Sequence, residues 1–209
     1  MSNSFIYIIE SPSGDDLFDG RTEGRALCEA LALAGHPHSY TIATDRDRLR
    51  KALACAVPSD RIVSEWERHG VPPVIHFSAH GNHHGIALTS GEHIPWSDLR
   101  EMLSPINDKM QMGILVCFST CSGYAGTRMS MYLDDTRPFW AVVGSASDVS
   151  WGDALVGFTA YYHHWFKSKS VAECVIAMRA ASGHGEFFYQ PGMESKEGYR
   201  QFVASQTLT

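Results

Sequence analysis

The chain has 209 residues, 44% hydrophobic and 19% charged, and is therefore long enough to bury the core of one sizeable domain. A net charge of -6 without a dense basic run argues against a nucleic-acid surface. No stretch approaches the roughly 20 consecutive apolar residues of a membrane span, and the N-terminus lacks the basic region of a signal peptide. We therefore expect a cytoplasmic protein that contacts neither nucleic acid nor membrane.

The cysteines point to the same compartment. Their number is odd, none forms a C-x-x-C pair, and most fall in apolar segments; they are Cys28, Cys55, Cys117, Cys121 and Cys174. A secreted disulfide framework normally uses an even number at closer spacing. We expect reduced thiols and no disulfide.

Strands and helices alternate through the first half of the sequence. Phe5 to Glu10 predicts a strand that leaves into a polar loop, SPSGDD. A helix from Thr22 to Ala34 precedes a strand from Ser39 to Ala43. Two further helices follow, one begun by Asp45 and one begun by Ser59 that carries Ile62, Val63 and Trp66.

The second half contains three further strands, which the pattern places at Val74 to Ala79, Ile114 to Thr120 and Phe139 to Ser145. A hairpin around Ser90-Gly91 and a helix capped by Ser97 separate the first two. Helices are predicted from about Asp153 to Phe166 and from about Ser170 to Ala181, before a tail without assigned structure. This alternation predicts a mostly parallel sheet covered on both faces.

Two apolar runs end in residues suited to acyl transfer. VIHFSAHG closes on His80 and Gly81, and ILVCFSTCSG closes on Cys121. Residues at the carboxyl ends of parallel strands share one crevice. A cysteine attacks as its thiolate, which an adjacent imidazole favours, and the imidazole then protonates the leaving group. The sequence therefore predicts a Cys121–His80 dyad, while Cys117 inside its run is assigned to packing.

These blocks, in this order, resemble the caspase-like cysteine peptidases of clan CD, and within them the CHAT family. The resemblance spans Val71 to Gly183 and continues past the nucleophile in AVVGSASDVSWGDALVGFTAYY. It implies one peptidase domain over residues 1–209. The implied fold is a caspase-like three-layer α-β-α sandwich with a mostly parallel six-stranded sheet and a small β-hairpin.

The resemblance also implies roles for residues around the dyad. The backbone N–H groups of Gly81 and Cys121 would form the oxyanion hole. The segment GSASD would line the pocket for the residue before the scissile bond, which makes substrate-binding candidates of Ser145, Ser147, Asp148 and, further on, Asp153. Either acid would pair with a basic substrate side chain, although Asp153 also fits a helix-terminal carboxylate.

The sequence departs from the family at the pocket. Members often carry a large aromatic residue soon after the strand that ends here at Ser145, whereas this chain has Ala146 and Ser147, with Trp151 later. We therefore expect a pocket of different shape. Asp15, Asp16 and Asp19, in the loop after the first strand, would add negative potential near its mouth or remain solvated.

The implied function is a cysteine endopeptidase that needs no cofactor or metal and cleaves a specific protein target. Related proteins act in bacterial defence or signalling, switched on by a regulatory protein partner. Two alternatives remain open. One is a catalytically silent module that binds a protein through the same crevice. The other is a metal-dependent hydrolase that uses a histidine cluster, whose members would be His76, His80, His83, His84 and His93.

Overall fold

A computed structural model describes residues 4–57, 64–111 and 113–206. Within these residues, eight strands form one sheet. The strands are β1 (Phe5–Ser11), β2 (His38–Ile42), β3 (Pro73–Asn82), β4 (Gly85–Ala87), β5 (His93–Pro95), β6 (Leu115–Ser119), β7 (Ala141–Ser145) and β8 (Phe187–Pro191).

The main path of the sheet runs β2-β1-β3-β6-β7-β8. Its first five strands are mutually parallel, and β8 pairs antiparallel with β7 at the edge. Strands β4 and β5 form a hairpin that continues from the end of β3. The mostly parallel six-stranded sheet with a small hairpin is thereby confirmed.

Helices cover both faces of the sheet and complete three layers. They are α1 (Gly14–Phe18), α2 (Glu23–Leu33), α3 (Arg46–Ala56), α4 (Glu65–His69), α5 (Trp96–Lys109), α6 (Trp151–Trp165), α7 (Val171–Ser182) and α8 (Gly192–Gln206). One core packs α3 and α5 on the sheet, and a second core packs α2, α6 and α7 on the opposite face. None of the helices in the described ranges is long and apolar enough to cross a bilayer.

Side-chain alternation along β1 shows how the sequence builds both cores. Phe5, Tyr7 and Ile9 enter the core on the α3/α5 side, whereas Ile6 and Ile8 enter the core on the other side. A strand buried on both faces reads as a continuous apolar run, and this explains why the sequence pattern locates the central strands.

Several predicted helix starts can be checked. Asp45 caps α3 by accepting a hydrogen bond from the Arg48 N–H (2.8 Å), as predicted, and Ser170, near which the second of the late helices was expected to begin, caps α7. The predicted cap Ser59 lies outside the described residues, as do Ile62 and Val63. The described helix of this region, α4, is capped by Ser64.

Two other starts are wrong by two residues. Helix α5 begins at Trp96 directly after Pro95, so Ser97 lies in its first turn. Proline suits this position because it has no N–H to leave unpaired. Helix α6 begins at Trp151 with Ser150 as its cap rather than at Asp153.

Three elements escape the sequence pattern. Helix α1 begins inside the predicted loop SPSGDD and ends two residues beyond it, and the unassigned tail contains β8 and α8. Helix α1 has only five residues, too few to show a helical period, but Ser13 and Asp16 form a reciprocal capping box at its start. This short helix proves central to the site.

Candidate active site

Strands β3 and β6 bring the two predicted catalytic residues to one place. They pair in parallel, with Ser78 opposite Ser119. His80 follows Ser78 by two residues on β3, and Cys121 follows Ser119 by two residues in the turn just beyond the end of β6. The strand ends are close, since a Cβ on Gly81 would lie 3.1 Å from the Thr120 side chain.

His80 and Cys121 line the same cavity. It measures about 250 Å³ and opens at the carboxyl ends of the strands. Its remaining lining residues are Ala79, Ser119, Thr120, Val149, Ser150 and Trp151. The His80 side chain is 47% exposed, so its ring is accessible from solvent.

Asp16 holds His80 in place. His80 Nε2 donates to Asp16 Oδ2 at 2.6 Å. The Trp151 indole N–H reaches the other carboxylate oxygen at 3.3 Å, and its ring meets the His80 ring edge-on at 5.1 Å. With Nε2 occupied, Nδ1 of His80 makes no hydrogen bond to any described residue and is the nitrogen left for proton exchange with a thiol.

The charge on Asp16 is secured by its neighbours. Burial opposes ionisation of this carboxyl, but hydrogen bonds from Ser13 and His80 outweigh burial and hold its pKa at about 2. The Ser13 hydroxyl donates to Oδ2 at 2.6 Å. Asp16 is therefore a carboxylate at neutral pH, placed to orient an imidazole and to stabilise its protonated form.

Cys121 sits at the turn that ends β6. The Val149 N–H donates to its sulfur at 3.5 Å, and the thiol reaches the Val149 carbonyl oxygen at 3.7 Å. An N–H directed at sulfur stabilises a thiolate. Three other cysteines are poor nucleophile candidates, since burial raises the pKa of Cys28 and Cys117 to about 12 and that of Cys174 to about 11.

The turn after Cys121 requires close backbone contacts. Ser122 adopts the left-handed region (φ 54°), and its N–H donates to the Ser147 carbonyl at 3.0 Å. A Cβ on Gly123 would lie 2.6 Å from Phe118 Cβ, and one on Gly144 would lie 2.7 Å from the Gly123 backbone. Small residues here serve first to pack β6, its turn and β7 together.

The predicted substrate-binding residues lie between the end of β7 and the first turn of α6 and are not among the residues that line the cavity. Ser145 is fully buried, and its hydroxyl bonds to the Ser147 carbonyl and to His184 Nε2. Asp153 accepts from the Ser150 hydroxyl at the start of α6, the helix-terminal role considered from sequence. Asp148 is exposed and pairs with no described side chain, which leaves its carboxylate free for a ligand.

Two features of the site were not assigned by sequence analysis. Asp16 was considered only as a source of negative potential, and Trp151 only as a displaced aromatic. The Ser-x-x-Asp spacing of Ser13 and Asp16 signals a capped helix, but nothing local signals a partner 64 residues away. Among the described residues, no group of three or more His, Cys, Asp or Glu side chains could hold a metal ion.

Comparison with known proteins gives the fold. No protein-family model matches the chain, and no curated protein matches it. Among solved structures, the Arg-specific cysteine proteinase gingipain R (RgpB) superimposes with a TM-score of 0.53 at 11% identity, over 86% of this chain and 41% of that one. A complex of Porphyromonas gingivalis RgpB pro- and mature domains aligns over 89% of this chain and 47% of that one (TM-score 0.49, 10% identity).

The chain thus has a caspase-like, mostly parallel α/β fold, which it shares with gingipain R. It spans less than half the length of the two solved structures it matches. At this identity the likeness concerns the fold, and the chemistry of the site has to be argued from the residues themselves.

Proposed function

We propose that this chain is a cysteine endopeptidase. The observation that carries the proposal is that Cys121 and His80 line one cavity while His80 is held by the buried carboxylate of Asp16. A thiol, an imidazole and an orienting acid are the groups that nucleophilic acyl transfer requires.

In the proposed reaction, His80 takes the Cys121 proton and the sulfur attacks the peptide carbonyl carbon. The tetrahedral oxyanion is stabilised by the N–H groups of Gly81 and Cys121. When the C–N bond breaks, imidazolium returns its proton to the departing amine and an acyl-enzyme remains. Water then attacks the thioester, His80 accepts its proton, and release of the carboxylic acid product restores the thiol.

Substrate selection follows from the rim of the cavity. We assign the residue before the scissile bond to the segment with Ser147 and Asp148, with Trp151 as one wall, while the buried Ser145 supports that segment through its bond to the Ser147 carbonyl. Asp148 offers an unpaired carboxylate there, whereas Asp153 is occupied at its helix. A Lys or Arg side chain is the complementary substrate group.

The biological setting belongs to the same proposal. We place the chain among CHAT-type effectors of bacterial defence or signalling, as a single domain over residues 1–209. We place it in the cytoplasm, where thiols stay reduced, and all five of its cysteines are free. Its target would be a specific protein, and a separate protein partner would control it.

Labelling with a peptidyl chloromethyl ketone tests the chemistry. Probes carrying Arg, Lys or Leu at the reactive end are incubated with the wild type, Cys121→Ala, His80→Ala and Cys55→Ala, followed by intact-mass spectrometry. We expect one adduct in the wild type and in Cys55→Ala, strongest with Arg or Lys, and none in the other two variants. Cys55 is a matched control because it is the other partly exposed thiol.

Labelling that survives in Cys121→Ala would contradict the proposed nucleophile. Preferred labelling by the Leu probe would contradict the role of Asp148. The natural target can then be sought among products of adjacent genes, as a single cut that Cys121→Ala abolishes.

A further inference from the structure

A row of polar side chains lies one step below the candidate active site. Glu10 pairs in register with Ser78 on the next strand, and Ser78 pairs with Ser119. All three face the α2 side of the sheet and are at most 1% exposed. His80 follows Ser78 by two residues, roughly 7 Å along β3, and Cys121 follows Ser119 by two residues in the turn after β6.

Glu23 reaches into this row from the first turn of α2. Its side chain is buried, and its Oε2 accepts a hydrogen bond from the Ser78 hydroxyl at 2.6 Å. The Ser119 hydroxyl is close enough to influence its ionisation. One carboxyl group thus lies against both strands that carry the candidate catalytic pair.

The unsatisfied atoms of this contact complement each other. Glu23 Oε1 and Ser119 Oγ are both fully buried, and neither makes a hydrogen bond of ordinary geometry to a described residue. Burial raises the pKa of Glu23 to about 7. The negative charge of Glu10 also raises this pKa, whereas the hydroxyl groups of Ser78 and Ser119 lower it. A protonated Glu23 has a donor on Oε1 for which Ser119 Oγ is the adjacent acceptor.

We propose that Glu23 is a positioning residue that, as a neutral acid, joins Ser78 to Ser119 and so fixes the two strand ends that present His80 and Cys121. This role rests on the proposed function, because it acts through the catalytic pair. Glu23 touches neither substrate nor the reacting atoms.

The effect of Glu23 ionisation can be separated from that of the other titratable groups on the same side of the sheet. They are Glu10 on β1, Tyr40 on β2, His76 on β3, Cys117 on β6, Tyr162 on α6 and Cys28 on α2 itself. Burial favours the neutral form of every one of them. Replacement of Glu23 by Gln therefore isolates the charge that appears when Glu23 ionises.

The test measures the alkylation rate of Cys121 by iodoacetamide between pH 5.5 and 8.5, a readout that needs no peptide substrate. Tandem mass spectrometry separates Cys121 from Cys117, which shares its tryptic peptide. The variants are Glu23→Gln, Glu23→Ala and Ser119→Ala. Glu10→Ala is the matched control, since it removes a buried carboxyl from the same row, one bonded to Gly24 and Tyr40 rather than to β6.

We expect Glu23→Gln to react within about twofold of the wild type at pH 6, since the amide reproduces both hydrogen bonds. Above pH 7 it should react faster than the wild type, because it places no negative charge beneath the thiolate. Glu23→Ala should react roughly tenfold more slowly at all pH values, and Ser119→Ala should also be slower. Glu10→Ala should keep the wild-type rate at pH 6, and above that pH its profile should shift only because Glu23 loses a neighbouring negative charge and ionises at lower pH.

A folded Glu23→Ala with the rate and pH profile of the wild type would overturn the positioning role. So would an equal loss in Glu10→Ala. If Glu23→Ala does not fold, the positioning role would instead be overturned by two results together. These are an unchanged Cys121 alkylation rate in Ser119→Ala and a wild-type pH profile of that rate in Glu23→Gln. Failure of the wild type to cleave any peptide would count against the proposed function alone, and normal cleavage by Glu23→Ala would count against this inference alone.

Discussion

The most informative single contact of the site joins His80 to Asp16. A carboxylate bonded to Nε2 fixes the tautomer of the ring and, in the proposed reaction, would stabilise the imidazolium formed when Cys121 loses its proton. Asp16 itself is fixed by the Ser13 cap and by Trp151. The orientation of the His80 ring therefore depends on a five-residue helix near the start of the chain.

We expect Asp16→Asn to lower kcat roughly 10- to 100-fold with little change in KM, because the amide cannot stabilise the imidazolium by charge. Steady-state kinetics on a peptide cleaved by the wild type would measure this. Asp47→Asn is the control, since it removes an exposed carboxylate from the first turn of α3, away from the cavity. Equal kcat values for Asp16→Asn and the wild type would exclude Asp16 from catalysis.

For single residues, the sequence indicates the two residues proposed to react but not the acid that orients His80. His80 and Cys121 stand where apolar runs end, and this is a local signal. The contact of Asp16 with His80 spans 64 residues and depends on how α1 folds back over the strand ends. The same holds for Glu23, whose helical neighbours give no sign that it meets β3.

The turn between β6 and the 3₁₀ segment Gly123–Ser130 is the element on which the nucleophile depends. In the structure, Gly123 and Gly144 are needed by the fold itself, because a Cβ on either would collide with neighbouring protein atoms. The turn holds Cys121 at the cavity only while these contacts remain close.

Gly144→Ala should therefore destabilise the protein by about 2 kcal/mol and reduce probe labelling of Cys121. Its Cβ would lie 2.7 Å from the backbone of Gly123 and Tyr124, which cannot move without shifting the turn. Gly152→Ala is the matched control. Its Cβ in α6 would meet nothing nearer than 3.8 Å, so a gain of roughly 0.5–1 kcal/mol is expected.

Urea denaturation followed by circular dichroism gives both values. Identical transition midpoints for Gly144→Ala and the wild type would show that the turn tolerates a wider separation.

Strands and helices could be predicted where their burial produces a regular pattern of apolar residues in the sequence. Strands β3, β6 and β7 are buried on both faces and appear as apolar runs, and α3 and α7 begin at polar caps. Strand β8 carries exposed and half-buried residues at the edge of the sheet, and α8 has few buried side chains. Such elements depend on tertiary contacts that no local period reveals.

For the molecule as a whole, the buried groups should make stability depend on pH. His76 is completely buried against Phe158 and hydrogen-bonded to the Tyr162 hydroxyl, and burial lowers its pKa to about 3. An unfolded histidine binds a proton below about pH 6.5, whereas the folded protein excludes that proton until about pH 3. The contribution of His76 to the free energy of unfolding therefore decreases as the pH is lowered from about 6.5 to about 3.

We predict that the difference in free energy of unfolding between the wild type and His76→Gln shrinks by about 2 kcal/mol from pH 7 to pH 5. Glu23 opposes the trend in the wild type, since its raised pKa costs stability as pH rises from 4.5 to about 7, but this contribution cancels in the difference. Chemical denaturation of both proteins at the two pH values measures it. A constant difference would mean that His76 takes up its proton in the folded state.

The capping box of α1 has a practical consequence for anyone who trims this protein. The resemblance to caspase-like peptidases begins near residue 71, and a fragment cut there would keep His80 and Cys121. It would lack Asp16, which is bonded to His80, and Glu23, the proposed positioning residue. Inactivity of such a fragment would therefore not argue against the function proposed for the 209-residue chain.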